Sequence, residues 1–162
     1  AGFGANYGWN CFEGLLPGPA TDPECATPPP GGYTPPIFEY SHDGAEPRCA
    51  IVGGYLVRDG NLGDLDGRYV YGDYCGAQIR SFDPAAPAAT DRGEGLAVGQ
   101  LTSFGEDSCG RVYTAQETGR VAMLAGADGT SACPGAKPRG PSFVGIKAQG
   151  RRVKKGKRAQ IT

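Results

Sequence analysis

The sequence predicts an all-β chain, and three observations carry that prediction. Of its 162 residues, 28 are Gly and 14 are Pro. Glycine costs backbone entropy and proline removes a donor, so long helices have no place to form. Seven short runs rich in Val, Ile, Tyr and Phe are separated by Gly, Asp, Asn or Pro, the pattern of strands joined by tight turns. One strand-turn-strand phrase is also written twice. "GRYVYGDYCGAQIRSF" (67–82) returns as "GRVYTAQETGRVAML" (110–124), with Gly67/Gly110, Arg68/Arg111 and Gly76/Gly119 each 43 residues apart. A period near 43 with several antiparallel strands per unit marks a β-propeller blade. A blade is a small four-stranded sheet that cannot bury both of its faces alone. The predicted fold is therefore an incomplete β-propeller with about two blades visible. Closure needs at least about four, which places the remaining blades upstream. A β-sandwich with a chance repeat is the competing architecture.

In chain order, residues 1–36 read as a long loop region with one aromatic cluster and a proline-rich excursion, "ATPPPGGYTPP". The predicted strands are then "IFEYSH" (37–42), "AIVGGYLV" (50–57), "RYVYGDY" (68–74), "QIRSFD" (78–83), "LAVGQLTSF" (96–104), "RVYTAQ" (111–116) and "RVAML" (120–124). The strand "RVAML" is expected to have an unpaired outer edge. Residues 1–127 form the blade region, and 128–141 a linker. Residues 142–162 alternate well enough for a basic β-hairpin, the start of a truncated C-terminal β domain. No signal peptide is present, and residue 1 falls in what reads as a loop, so the chain reads as a piece of a longer one.

Charge divides the chain at the same place. All 17 acidic residues lie at or before Asp128, against seven Arg and no Lys before Lys137, a net charge of −10. From Lys137 onward there are nine Lys and Arg and no acid. A basic tail suggests nucleic acid or an anionic surface. No aromatic is interleaved with the charges from Lys147 to Thr162, so base stacking has no platform, and a solvated basic hairpin is the reading adopted. No nucleic-acid partner is expected. No stretch approaches the roughly 18 to 20 apolar residues that span a bilayer.

Six cysteines are spread as Cys11, Cys25, Cys49, Cys75, Cys109 and Cys133. Without a Cys-x-x-Cys, and with one His, they make a poor zinc site. Disulfides and an oxidising compartment are the better reading. Sequence does not choose among the possible pairings; sequential pairing, 11–25, 49–75 and 109–133, would staple three local loops.

Several segments in order, "NYGWNCFEG" (6–14), "FEYSH" (38–42), "AIVGGYLVRDGNLGDLDGRYVYGDYCG" (50–76) and "LTSFGEDSCGRVYTAQETGRVAML" (101–124), resemble the C-terminal blades of the glucose/sorbosone dehydrogenase family. That family comprises soluble quinoprotein sugar dehydrogenases and Hedgehog-interacting-protein-like relatives. The resemblance covers roughly residues 4–125 and implies a six-bladed propeller, secreted or periplasmic. In active members it further implies pyrroloquinoline quinone (PQQ) and calcium at one mouth of the channel, and oxidation of a sugar's anomeric hydroxyl with a His on an early blade as base. That base and the metal-binding backbone would lie upstream, so no catalytic residue and no metal ligand is expected here. His42 is read as a structural hydrogen-bonding residue.

Three late loops contact the quinone in active members, and the resemblance carries them onto Arg48, Tyr74 and Gln100. Arg48 in "EPRCAIV" would sit near the mouth. Tyr74 stands where active members often place a Lys, and Val98 and Gln100 stand where they use an Arg-x-Arg pair. PQQ carries three carboxylates that need cationic partners in a low-dielectric pocket, and two of these three loops offer none. PQQ and calcium therefore belong to the full-length family, with neither expected to bind this fragment.

Other motifs fail on chemistry. "GFGANYG" (2–8) lacks dinucleotide-binding spacing. "DGNLGDLDG" (59–67) has Gly63 where a calcium loop needs an oxygen ligand, and it reads as a blade turn. Asp107 is expected to bond backbone N–H groups in a turn, and Asp73, at a strand end, to form an Asx turn or contact a ligand. Two functions compete. The first is a fragment of a PQQ-dependent aldose dehydrogenase, inactive in isolation. The alternative is a catalytically silent extracellular propeller binding carbohydrate or protein.

Overall fold

The computed structural model describes residues 4–18, 23–27 and 30–126. The predicted linker (128–141), the basic hairpin (142–162) and the Cys109–Cys133 pair lie wholly or partly outside the described residues. A small hairpin, β1 (Phe12–Glu13) with β2 (Leu16–Pro17), opens the chain. Two antiparallel sheets follow. The first contains β3 (Ile51–Val52), β4 (Tyr69–Asp73), β5 (Gln78–Phe82) and β6 (Arg92–Ala97), in that order. The second contains β7 (Leu101–Glu106), β8 (Val112–Gln116) and β9 (Val121–Met123). The fold is all-β, neither sheet closes into a barrel, and the two stand side by side as consecutive propeller-type blades. Among the described residues β9 pairs with β8 alone.

The 43-residue repeat maps directly onto this arrangement. β4 spans 69–73 and β8 spans 112–116, so the two strands begin and end at that offset, and β5 and β9 begin at it. Gly67 and Gly110 take φ of 79° and 77°, a left-handed conformation that a side chain disfavours. The repeated Gly-Arg therefore marks the same tight entry into the second strand of each sheet.

Alternation along β4 and β5 gives the first sheet two different faces. Val70 and Ile79 point one way and join Leu101 and Val112 of the second sheet, Leu124 just after it, and Val57 in one cluster. All six are buried and form the aliphatic core between the blades. Tyr69, Tyr71 and Phe82 point the other way, where Phe38 lies 5.1 Å from Phe82 and 5.6 Å from Tyr71, ring to ring. Close approach depends on missing side chains. A Cβ on Gly72 would stand 2.4 Å from Leu101 Cδ2, and one on Gly54 would stand 2.2 Å from the Val70 carbonyl oxygen.

Three predicted strands need correction. Residues 37–42 are not a strand: they cover the sheet with Phe38 and Tyr40 side chains while their backbone pairs with nothing in it. In 50–57 only Ile51–Val52 is regular, with a single further bridge between Leu56 and Tyr69. Gly53 and Gly54 interrupt the ladder there, and Gly54 N donates to the Tyr69 hydroxyl at 3.0 Å. The run 96–104 is two strands in different sheets, broken by a turn in which Gln100 takes φ 52°. Most of β6 was missed, because Gly93 and Gly95 hide the period of two. "DGNLGDLDG" is a 3-10 turn, Gly60–Leu65, capped by Asp59 accepting from Asn61 N.

Cys11 pairs with Cys25 and Cys49 with Cys75, as sequential pairing expects. Thiol titration of unreduced, denatured protein should therefore find no reactive group at these four positions; six reactive thiols would overturn the pairing. Gly54→Ala should lower stability by roughly 1 to 3 kcal/mol, because its methyl meets backbone that cannot turn aside. Gly99→Ala, which faces open space, should leave the thermal midpoint unchanged or slightly raised. Thermal denaturation followed by circular dichroism checks both.

Candidate functional site

The loops that matter lie at one end of the two sheets: before β3, after β4, before β7 and after β8. Their positions are fixed by Asp73, the last residue of β4. Its carboxylate accepts from Tyr40 OH at 2.7 Å and from the backbone N–H groups of Cys49 (3.1 Å), Ala50 (3.2 Å), Cys75 (2.8 Å) and Gly76 (3.2 Å). Burial alone would raise the Asp73 pKa, but these donors outweigh it and hold the carboxyl below the usual carboxylate range. Asp73 thus forms the Asx turn and gathers a neighbouring loop as well. The Cys49–Cys75 disulfide locks the same two loops covalently.

Beyond this knot, Tyr74 reaches the second sheet. Its hydroxyl donates to Glu117, whose own N–H donates to the Gln100 carbonyl at 3.0 Å. The Glu117 carboxylate is the main cause, with burial secondary, of an upward shift at the Tyr74 phenol, and the Gln100 side chain opposes it. Tyr74 and Glu117 are 43 residues apart, so equivalent positions on successive blades touch. Two of the three residues taken from the quinone-contacting loops, Tyr74 and Gln100, are therefore brought together here. Val98 is half-buried against the inter-blade core rather than at the rim.

Arg48 belongs elsewhere. Its guanidinium lies 4.4 Å above the Tyr40 ring and bonds Glu46 Oε2 at 3.2 Å. Arg80, from β5, reaches the same Glu46 oxygen at 3.3 Å and pairs with Asp91 at 2.7 Å. Asp91 also accepts from Tyr71 OH at 2.7 Å. Its burial would raise the carboxyl pKa, but the Arg80 and Tyr71 bonds bring it below the ordinary value, while burial and Asp91 push the Tyr71 phenol up. A cavity of about 160 Å³ is bordered by Tyr40, Glu46, Arg48, Asp73, Gln78 and Arg80.

Glu117, Glu46, Arg80 and Asp91 were missed from sequence. Glu117 was within reach, since it is the repeat partner of Tyr74; the others converge from loops and strands whose contacts no local motif records. Asp107 accepts from the Cys109 and Arg111 N–H groups at 2.9 and 3.1 Å, as its turn reading expects. His42 is exposed and makes no hydrogen bond among the described residues, so the structural role expected for it is not found.

Cys49, Asp73 and Cys75 bring potential metal ligands within 4.8 Å of one another. Both sulfurs are spent in the disulfide and Asp73 is occupied by its donors, so the cluster is a structural knot. Among the described residues no helix is long and apolar enough to cross a membrane.

Comparison with known proteins finds similarity to the HIPL1 protein of Arabidopsis thaliana, at 29% identity over 149 residues, covering 72% of this chain. The chain spans about 21% of the length of that relative. No family model matches the chain, and no solved structure matches it.

Asp73→Asn should lower stability by roughly 1.5 to 3 kcal/mol, the range for hydrogen bonds to a charged acceptor. The substitution should also change the pH response. A carboxyl with a depressed folded pKa binds fewer protons folded than unfolded, so its contribution is complete above the unfolded pKa of about 3.9 and is lost as pH falls from there through the folded value. Urea denaturation across that acid range should show a shallower loss of stability in Asp73→Asn than in the unaltered chain.

Proposed function

We propose that this chain forms two neighbouring blades of an extracellular propeller-type protein whose rim recognises a neutral, hydroxyl-rich ligand of the carbohydrate class. The observation that carries the reading is the meeting of Tyr74, Gln100 and Glu117 between the blades. A phenol ring offers an apolar face to the C–H face of a sugar, while a carboxylate and an amide supply acceptors and donors for hydroxyls. The two disulfides support an oxidising, extracellular setting.

A PQQ-dependent sugar dehydrogenase parent is the second reading, and the grouping of the late loops at one end favours it. The donor set does not fit the quinone. Three carboxylates require cations at those loops, whereas Tyr74 gives its hydroxyl to an acid and Gln100 is neutral. Arg48 could supply one cation where three are needed, and its guanidinium lies over the Tyr40 ring beside Glu46 rather than with Tyr74 and Gln100. Glu117 would repel a quinone carboxylate. No catalytic step is derived through PQQ or calcium.

Calorimetric titration of the chain with PQQ and calcium should show no micromolar binding, which would require about 8 kcal/mol, and added aldoses should reduce no dye. Micromolar binding abolished by Arg48→Ala would overturn this assignment. Titration with neutral gluco-oligosaccharides, read by amide and Tyr ring shifts, should instead perturb Tyr74 and Glu117 and be lost in Tyr74→Ala. Perturbation elsewhere with Tyr74 silent would sink the rim reading.

A further inference from the structure

Glu46 is held in a manner that separates it from the other ion pairs. Its Oε2 lies 3.2 Å from Arg48 and 3.3 Å from Arg80. The two arginine side chains are only 20% and 17% exposed, while that of Glu46 is 52% exposed. Both arginines have contacts besides Glu46. Arg80 is gripped by both Asp91 oxygens, at 2.7 and 3.2 Å, and by the Tyr71 hydroxyl at 3.2 Å. Arg48 rests on the Tyr40 ring. Glu46, by contrast, has no hydrogen-bond or ion-pair partner among the described residues except these two guanidiniums.

We propose that Arg48 and Arg80 form a binding site for the carboxylate of a small organic acid, with Glu46 as the built-in occupant that the ligand displaces. Guanidinium groups match carboxylates in shape and donor geometry. An ion pair with one exposed partner contributes little, so displacing Glu46 costs a ligand carboxylate little. The cavity of about 160 Å³ beside the pair admits a small body, well below the roughly 300 Å³ at which cofactor-sized pockets begin. Asp73 and Asp91 already oppose the arginine charge, which favours a single carboxylate over a tricarboxylate such as PQQ. Tyr74, Gln100 and Glu117 do not border this cavity, so the proposal does not rest on the carbohydrate reading.

The test follows the Arg48 and Arg80 Nε–H signals of the full chain by heteronuclear NMR during titration with acetate, glucuronate and glucose. Glu46→Gln should strengthen binding of both acids by up to about fivefold, because a weakly paired charged competitor becomes neutral. Arg48→Gln should weaken it by a similar factor, and glucose should leave both signals in place. Tighter binding of glucuronate than acetate supports the site with a sugar acid as ligand; equal binding supports it with the carboxylate alone. Absence of any shift in Glu46→Gln with either acid overturns the proposal. Equal response to glucose also overturns it, while leaving the rim reading intact.

Discussion

Asp73 sits where β4 leaves the first sheet, and a carboxylate buried there is tolerated only if the surrounding donors replace its lost hydration. The chain supplies them from three places: the Tyr40 hydroxyl, the backbone entering β3 at Cys49 and Ala50, and the backbone leaving β4 at Cys75 and Gly76. One charge thereby specifies where the 38–40 segment crosses the sheet and how two loops meet. It also determines the neighbourhood of both candidate sites. Arg48 precedes the bonded Cys49, and Tyr74 follows Asp73, so the knot sends one side chain to the outer cavity and the other to the next blade.

That arrangement works because the first sheet is covered on both faces by different means. Its aliphatic face meets the second sheet, with Gly72 leaving space for Leu101. Its aromatic face is covered by Phe38 and Tyr40, whose segment needs no ladder of its own. Arg68 closes the far end, bonding the Ser81 hydroxyl at 2.6 Å and the Thr90 carbonyl at 2.6 Å. Its repeat partner Arg111 instead pairs with Asp107 at 2.6 Å. The repeat preserves backbone geometry and lets the side chain change employment.

What could be read from sequence was the part governed by local rules. The 43-residue offset located β4, β5, β8 and β9 because glycine placement and strand alternation are properties of short segments. Strand β6 escaped because Gly93 and Gly95 remove the side chains that reveal alternation. The boundary between the sheets escaped because "LAVGQLTSF" remains apolar on both sides of Gln100, and a positive φ at a Gln leaves no signature in sequence. Arg48 and Tyr74 were singled out by position. Glu46 stands two residues before Arg48, but its second partner Arg80 lies 34 residues on, a contact only tertiary structure reveals, whereas the repeat itself connects Tyr74 to Glu117.

The distribution of charge between the two sites constrains what each can hold. At the rim, the acid Glu117 meets a phenol and an amide, which on the proposed reading would exchange hydrogen bonds with hydroxyls and offer a ring to stack on. At the outer cavity, two mostly buried guanidiniums share one exposed carboxylate oxygen, so the natural replacement for that oxygen is another carboxylate. An anion placed at the rim would face Glu117, and a neutral ligand in the cavity would have to break the Glu46 pair without offering a charge in return. As proposed, the two sites would sort ligands by charge before shape is considered. Glu117 and Glu46 are both exposed acids; the Asp73 knot places their partners Tyr74 and Arg48, while Asp91 and Tyr71 place Arg80.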